Sequence, residues 1–309
     1  MVKFIKFLPL CANKIWIYSI IISSLFISTV SAQHNNNNNN NRNIDDFRFA
    51  TWNTAGSRWN EVYQLMIDNN IEVLAIQEAG SLPTQGTINE ILDDYIRVCN
   101  MGETRRTDDV LFMRSQEYRW QINGTDFYIY YYDRVGHYLM HGHPERRNVN
   151  TAIITRQRAD NIFILPPIYQ NERRAYINRP VIGVRLENSV FLNVHGEPIR
   201  LRNETPQDIR IIQNYMARNH PSLTWALLGD FNRTPAELDS DINRMPPPDH
   251  TFRQTVSSGE ATHIDRNHPE RSAELDYAVV GGPTNSRVDN IIALLILMSV
   301  SDHKPVRFN

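Results

Sequence analysis

Residues 224–232 read TWALLGDFN: a short apolar run, a glycine, then Asp230 and Asn232 two positions apart. On a strand, alternate side chains leave the same face, so these two would project together where an apolar strand meets solvent. A carboxylate and an amide on one ledge suit phosphate chemistry. The acid takes a proton from water or helps hold a hard cation, and the amide donates to a phosphoryl oxygen without adding negative charge. Read alone, the stretch is also an ordinary strand end followed by turn-starting residues. Its company raises it above that. Asn53, Glu78, His195, Asp276, Asp302 and His303 complete a set of eight, seven of which end or follow an apolar run. Glu78 and Asp302 are hard oxygen ligands suited to Mg²⁺, which uses one or two carboxylates and keeps most of its waters. His195 and His303 can donate to phosphoryl oxygens or carry protons near neutral pH, and Asp276 can orient and charge one of them.

Such residues need rigid strands to bring them together, and the hydrophobic patterning supplies them. Residues 47–53 alternate and end on Asn53, and residues 71–76 form a compact apolar strand that hands over to Gln77 and Glu78. Between them Trp59, Val62, Tyr63 and Met66 follow helical spacing until Asn69 and Asn70. Residues 127–133 and 149–155 read as strands, and residues 181–186 and 190–195 as a hairpin whose second strand ends on His195. Thr205 as cap and Pro206 in the first turn open a helix with Ile209, Ile212 and Met216 on one face. Residues 275–280 form a further strand, and a last one runs to Phe308. Residues 80–126 carry little pattern and predict loops with one short helix over 88–95. Residues 136–148, rich in histidine and arginine, predict a mobile surface loop, and the apolar run 291–298 a core element. In a two-sheet sandwich the strand ends of both sheets meet along one rim, which is where the eight residues would converge.

Residues 1–32 carry Lys3, Lys6 and Lys14, an apolar stretch and the small residues Val30, Ser31 and Ala32, the pattern of a secretory signal rather than of a stable membrane anchor. Residues 33–42 include a run of asparagines that cannot form a core and predict a low-complexity spacer. The folded domain is expected over 43–309, large for one domain yet within reach of a single sandwich. The formal charge of −2 becomes −5 without the three signal lysines, so net charge supports no binding to nucleic acid, which must come from local clusters. Arginine pairs occur at 105–106, 146–147 and 173–174, with Arg200 and Arg202 close by one another; such pairs are usually solvated surface. Beyond residue 32 the cations are 28 arginines and a single lysine, Lys304. Arginine grips phosphate through a planar fork, so the bias suits phosphate partners. A chain nearly without lysine also offers few ubiquitin acceptors, which would matter to a protein that crosses from a secretory lumen into cytosol. With Cys11 in the signal, Cys99 stands alone and no internal disulfide can form.

The segments ATWNTAG, LAIQEAG, RADNIFILPP, LLGDFNRTPAEL, ELDYAVVGG and SDHKPV resemble the endonuclease/exonuclease/phosphatase superfamily, whose members include deoxyribonuclease I. Within it, ATWN, AIQEAG, RAD and LDYAV point to the CdtB branch, the catalytic chains of cytolethal distending toxins, over about residues 47–308. The resemblance implies an α/β (α+β) fold, a four-layer αββα sandwich like that of deoxyribonuclease I, and Mg²⁺-dependent phosphodiester cleavage. By the same analogy Glu78 and Asp302 hold the metal with Asn53 beside them. Asp276 pairs with His303, Asp230 orients the attacking water, Asn232 holds phosphate and His195 is a general acid or transition-state donor. Arg147, Arg179 and Arg202 join Asn53 and Asn232 as candidate phosphate-binding residues. Two departures bear on substrate. Asn148 stands where the family has arginine, with Arg147 one residue earlier, and Gly196-Glu197-Pro198 follows His195 where the family is small and apolar. Glu197 near a DNA groove would repel phosphate.

The expectation is therefore a secreted endonuclease that damages DNA in a target cell, with lectin-like companion toxin subunits as partners and the target cell's nucleus as its place of action. Family members also include phosphoinositide phosphatases, so an inositol lipid is the alternative substrate. A sphingomyelinase-like activity ranks below it, and a catalytically dead binding module on the same fold is the non-enzymatic alternative.

Overall fold

The computed structural model describes residues 41–91, 97–101, 114–133, 150–166, 179–197, 204–248, 250–284, 291–296 and 301–309. Fifteen strands among them make two mixed sheets. The first contains β1 (Phe49–Asn53), β2 (Val73–Gln77), β3 (Thr87–Ile91), β5 (Arg114–Ile122), β6 (Thr125–Asp133), β7 (Thr151–Thr155), β14 (Ala293–Leu295) and β15 (Val306–Phe308), in the order β14-β15-β1-β2-β7-β6-β5-β3. The second contains β4 (Val98–Asn100), β8 (Asn161–Leu165), β9 (Val181–Leu186), β10 (Ser189–His195), β11 (Thr224–Asp230), β12 (Thr251–Val256) and β13 (Asp276–Pro283), in the order β12-β13-β11-β10-β9-β8-β4. Helix α1 (Trp59–Asp68) covers the first sheet, and α2 (Glu204–Asn219) and α3 (Pro235–Asn243) cover the second.

Period-two alternation assigns the apolar side chains to three cores, which is what makes four layers. On β1, Phe49 faces the space between the sheets while Ala50 and Trp52 face α1, where Trp59, Val62, Leu65 and Met66 pack. On β11, Ala226 and Leu228 face the other sheet, whereas Trp225 and Leu227 face Ile209, Ile212 and Met216 of α2 and Leu238 of α3. The four-layer α/β sandwich implied by the family resemblance is the observed architecture. Among the described residues no helix is long and apolar enough to cross a membrane.

The inter-sheet layer also holds paired polar groups. Gln77 donates to Asn193 Oδ1 at 2.7 Å, and Asn193 donates to the carbonyls of Ile76 and Ala152 at 2.8 and 2.9 Å. This rung ties the two sheets together one layer below the strand ends. At one edge Glu117, whose side chain is fully buried, accepts from Arg97 and from both Nε and Nη2 of Arg158, each at 2.9 Å, and from the Tyr130 hydroxyl at 3.1 Å. Removing a buried carboxylate leaves its guanidiniums uncompensated. Glu117→Ala is expected to cost about 3–5 kcal/mol, read as a melting midpoint lower by roughly 10 °C.

Three expectations need correction. In place of a helix over residues 88–95, Thr87–Ile91 is β3, paired antiparallel with β5 from Thr87 opposite Gln121 to Ile91 opposite Glu117. Pairing with a strand that the weak pattern of residues 80–126 conceals overrides local helix preference. Over its described part, 291–296, the apolar run 291–298 is not an enclosed core element. Ile291, Ala293 and Leu295 pack on the inter-sheet core, but Ile292 and Leu294 on the other face of edge strand β14 are 58% and 40% exposed. The helix expected to be capped by Thr205 begins at Glu204, with Thr205 and Pro206 inside its first turn. Cys99 is free, and the histidine-rich stretch 136–148 lies outside the described residues.

Candidate active site

The site follows from register. Strands β10 and β11 run parallel with His195 opposite Asp230, and β11 pairs antiparallel with β13 with Asp230 opposite Asp276. Residues in register share a face. Counting by twos from Phe191, Leu228 and Ala278 brings all three side chains to the inter-sheet side at one end of the second sheet. In the first sheet, Asn53 is in register with Gln77 at the same end of β1 and β2. Asn53 reaches across to donate from Nδ2 to Asp230 Oδ2 at 3.0 Å. The two sheets therefore close on one another at Asp230, which is 2% exposed.

Gly229 permits that approach. Its φ of +157° places it in a region that L side chains rarely adopt, and a Cβ there would collide with the carbonyl of Val194 on the neighbouring strand. The chain then turns sharply. Asn232 has φ of +51°, donates its amide N–H to Asp230 Oδ1 at 2.8 Å and its side-chain amide to Gly196 O at 2.8 Å. Ala55 and Glu78 are two further non-glycine residues with positive φ, +50° and +54°. Left-handed backbone is costly for such residues and concentrates where function over-determines it. The Glu78 loop is held by its carbonyl, which accepts from Gly56 N–H at 2.9 Å and the Thr54 hydroxyl at 3.0 Å. Asn150 fastens the next residues, accepting from Ala79 N–H on its backbone and donating to Gly80 O at 2.9 Å.

His303 comes from the short connection before β15. Ser301 Oγ donates to Asn53 O at 3.0 Å and accepts from His303 N–H at 3.1 Å, while Trp52 Nε1 donates to His303 O at 3.1 Å. The imidazole donates from Nδ1 to Asp276 Oδ2 at 2.7 Å, and its Nε2 lies 3.8 Å from Asp230 Oδ2. His195 Nε2 lies 3.6 Å from the same oxygen. Both distances allow Coulomb attraction but exceed a direct hydrogen bond. Burial works against the charged ring of His303, yet the Asp276 charge and hydrogen bond, with Asp230 and Asp302 behind them, push its pKa up to about 9. Burial, and then the neighbouring Asp276, push Asp230 up to about 6 against the pull of His303 and its hydrogen bonds. At neutral pH the site thus holds a protonated His303 between two carboxylates.

Glu78 sits beside this group. Burial raises its carboxyl above the ordinary value, Asp302 adds to the push, and Arg179, His303 and a hydrogen bond from Asn53 pull the other way. Glu78, a carboxylate disfavoured by burial, lies within electrostatic reach of the exposed Asp302, and two carboxylates of this kind are donors that suit a hard divalent cation. Arg179 donates to the carbonyls of His195 and Gly196 at 3.5 and 3.4 Å, which fixes its guanidinium at the edge of the site. Asn53, Glu78, Arg179, His195, Asp230, Asn232, Asp276, Asp302 and His303 are thereby brought together. Arg147 and Arg202 lie outside the described residues. A separate cavity of about 530 Å³, lined in part by Met216, His220, Trp225 and His250, opens at the far end of β11, and no candidate residue lines it.

One residue of this neighbourhood escapes the sequence pattern. The ring of His263 packs on that of His303 with centroids 4.8 Å apart. It rides on a segment pinned between two others: Thr262 Oγ1 accepts from the N–H groups of Leu275 and Asp276 at 2.9 Å, and Ile264 N–H donates to Asp302 O at 2.8 Å. His263 ends no apolar run, so the rule that finds the others passes it by.

Comparison with known proteins agrees with this geometry. A model of the Endonuclease/Exonuclease/phosphatase family matches residues 50–303. The CdtB chain of the cytolethal distending toxin of Escherichia coli is 30% identical over 283 residues, covering 85% of this chain and 91% of the relative. A CdtB homologue from Salmonella typhi is 30% identical over 285 residues, covering 86% and 90%. The solved structure of CdtB, the biologically active subunit of cytolethal distending toxin, superposes with a TM-score of 0.66 at 27% identity, covering 85% of this chain and 97% of that one. The Haemophilus ducreyi cytolethal distending toxin gives 0.66 at 28%, with 86% and 98% covered. With a family model spanning most of the chain, and relatives alike in sequence and fold along nearly their whole length, the chain belongs to the endonuclease/exonuclease/phosphatase family.

Proposed function

We propose that the protein is a secreted, Mg²⁺-dependent endonuclease that hydrolyses DNA phosphodiester bonds in a target cell. The observation that carries the reading is the convergence of two imidazoles on one carboxylate. His195 and His303 both direct Nε2 at Asp230 Oδ2, with Asp276 charging His303 from behind. Asp230, ionised above about pH 6, orients water and takes its proton as the water oxygen attacks phosphorus. As the bond to the sugar oxygen breaks, His195 delivers a proton to the departing oxygen. His303, held protonated by Asp276, donates through Nε2–H to a phosphoryl oxygen whose negative charge grows in the transition state. Asn232 and Asn53 orient the phosphate, and Arg179, Arg147 and Arg202 contact the flanking backbone. Glu78 and Asp302 would hold Mg²⁺, which when bound supplies neutralisation of phosphoryl charge.

Similarity to CdtB and to a solved cytolethal distending toxin supports action as a toxin together with companion subunits. In this reading those subunits are lectin-like and the nucleus of the target cell is the destination. Residues 1–32 act as the secretory signal in this reading. A phosphorylated inositol lipid is the second reading, because the family that matches the chain spans phosphatases as well as nucleases and the same metal and histidines serve both.

Supercoiled plasmid incubated with the purified protein and Mg²⁺ is expected to become open circles. EDTA should reduce nicking to background, and excess Mg²⁺ should restore it. Release of phosphate from inositol lipids with intact plasmid would transfer the reading to the second substrate. Inactivity on both would leave a binding module.

A further inference from the structure

We propose that His263, Asp302 and His303 form a second metal site that takes a borderline divalent ion such as Zn²⁺ and switches the enzyme off. The inference rests on His303 being a working residue of the nuclease proposed above. One ligand atom from each of the three residues lies within 4.8 Å of the other two. Ligands around tetrahedral zinc are about 3.4 Å apart at its usual bond lengths of about 2.1 Å. Asp302 is exposed and His263 half-buried, so rotation of these two side chains toward the buried His303 ring can close that difference.

The frame itself is rigid. His263 is bridged on one side to Ala273 and on the other to His303, and its N–H donates to Ala273 O at 3.0 Å. The His303 ring is anchored through Nδ1 to Asp276, which leaves Nε2 as its ligating atom. A carboxylate behind an imidazole is the arrangement that fixes ring orientation and raises basicity in metal-binding histidines. Two imidazoles and one carboxylate suit zinc, copper or nickel, whereas Mg²⁺ prefers oxygen. The site is therefore chemically distinct from the oxygen set around Glu78, yet shares Asp302 with it. An ion held here replaces the proton on Nε2, which leaves to solvent, so it removes the donor that phosphate needs and withdraws Asp302 from the catalytic cation. Occupancy and activity exclude one another.

Zinc is titrated against plasmid nicking by the purified full-length protein at fixed Mg²⁺, each curve normalised to that protein's own zinc-free rate. Binding is measured separately by calorimetry with Zn²⁺ and by the visible absorption of Co²⁺. Wild type is expected to bind one ion and lose activity as it does. His263→Phe keeps a ring against His303 but removes the ligand, and should weaken binding and raise the half-inhibiting zinc concentration at least tenfold. His263→Gln serves as a second variant should the phenyl ring disturb packing. Equal affinity and equal inhibition in wild type and both variants, or no bound ion in wild type, would overturn the site. A protein that nicks no plasmid but binds Co²⁺ through His263 retains the metal site and loses the nuclease reading. One that nicks plasmid, binds no zinc and resists it retains the nuclease and loses the site.

Discussion

His195→Ala and His303→Ala each lower the rate of plasmid nicking by about 10²–10⁴-fold, and the double variant is scarcely slower than the worse single one. Both rings face the same oxygen of Asp230, His195 from the end of β10 and His303 from the connection before β15, at 3.6 and 3.8 Å. The proton taken from water, the proton given to the leaving oxygen and the charge donated to the phosphoryl group thus belong to one arrangement, and removing either ring breaks all of it. The two variants differ in how they fail. His303→Ala also leaves Asp276 buried with neither of its carboxylate oxygens paired to a side chain, because Oδ1 has no partner to begin with. It should therefore lose stability as well as rate. His195→Ala also removes a buried ring near Asp230 and should lose some stability, but less than His303→Ala, whose ring is hydrogen-bonded to buried Asp276. Plasmid nicking with calorimetry on the same samples separates the effects. Rates for both variants within tenfold of wild type would sink the assignment.

Much of the site was legible because strand periodicity and residue chemistry work together there. His195, Asp230 and Asp276 each lie at the end of an apolar strand, and those ends fall in register across three neighbouring strands. Collecting polar residues at strand ends therefore approximates collecting one spatial cluster. The method fails where the contact is not made by a strand end. His263 reaches His303 from an irregular segment held by backbone hydrogen bonds to residues 273 and 302, and nothing in its neighbours along the chain announces that. The Gln77–Asn193 rung joins the end of β2 to the interior of β10, where an amide within an apolar strand looks like a break in the pattern. β3 and β5 stabilise one another through cross-strand pairs, so neither is visible alone. Helix α3, by contrast, carried a local sign that could have been read: Thr234, Pro235 and Glu237 form a capping box with proline in the first turn.

Between pH 7 and pH 9.5 the protein is expected to lose on the order of 2 kcal/mol of stability, and Asp276→Asn to remove most of that slope. The folded state raises the pKa of His303 from its ordinary 6.5 to about 9, because the charge and hydrogen bond of Asp276 outweigh burial. The folded protein therefore binds this proton more tightly than the unfolded chain does. The stabilisation is fully present below pH 6.5 and is lost as pH rises through 9. Asp230 is also raised, from 3.8 to about 6, by burial first and Asp276 second. Its contribution is complete below pH 3.8 and gone once pH has passed 6, so it adds nothing to the slope above pH 7. For a domain of this size the loss corresponds to a melting midpoint lower by roughly 4–10 °C, measured in EDTA so that no cation intervenes. With asparagine at position 276 the largest pull on the proton is absent and burial works against the charged ring, so His303 loses its proton at lower pH although Asp230 and Asp302 remain. The same two groups bound the activity, which should rise through about pH 6 as Asp230 ionises and fall through about pH 9 as His303 loses its proton. An Asp276→Asn protein whose midpoint still fell as steeply as wild type above pH 7 would show that the slope arises elsewhere, and with it the charge on His303 would lose its support.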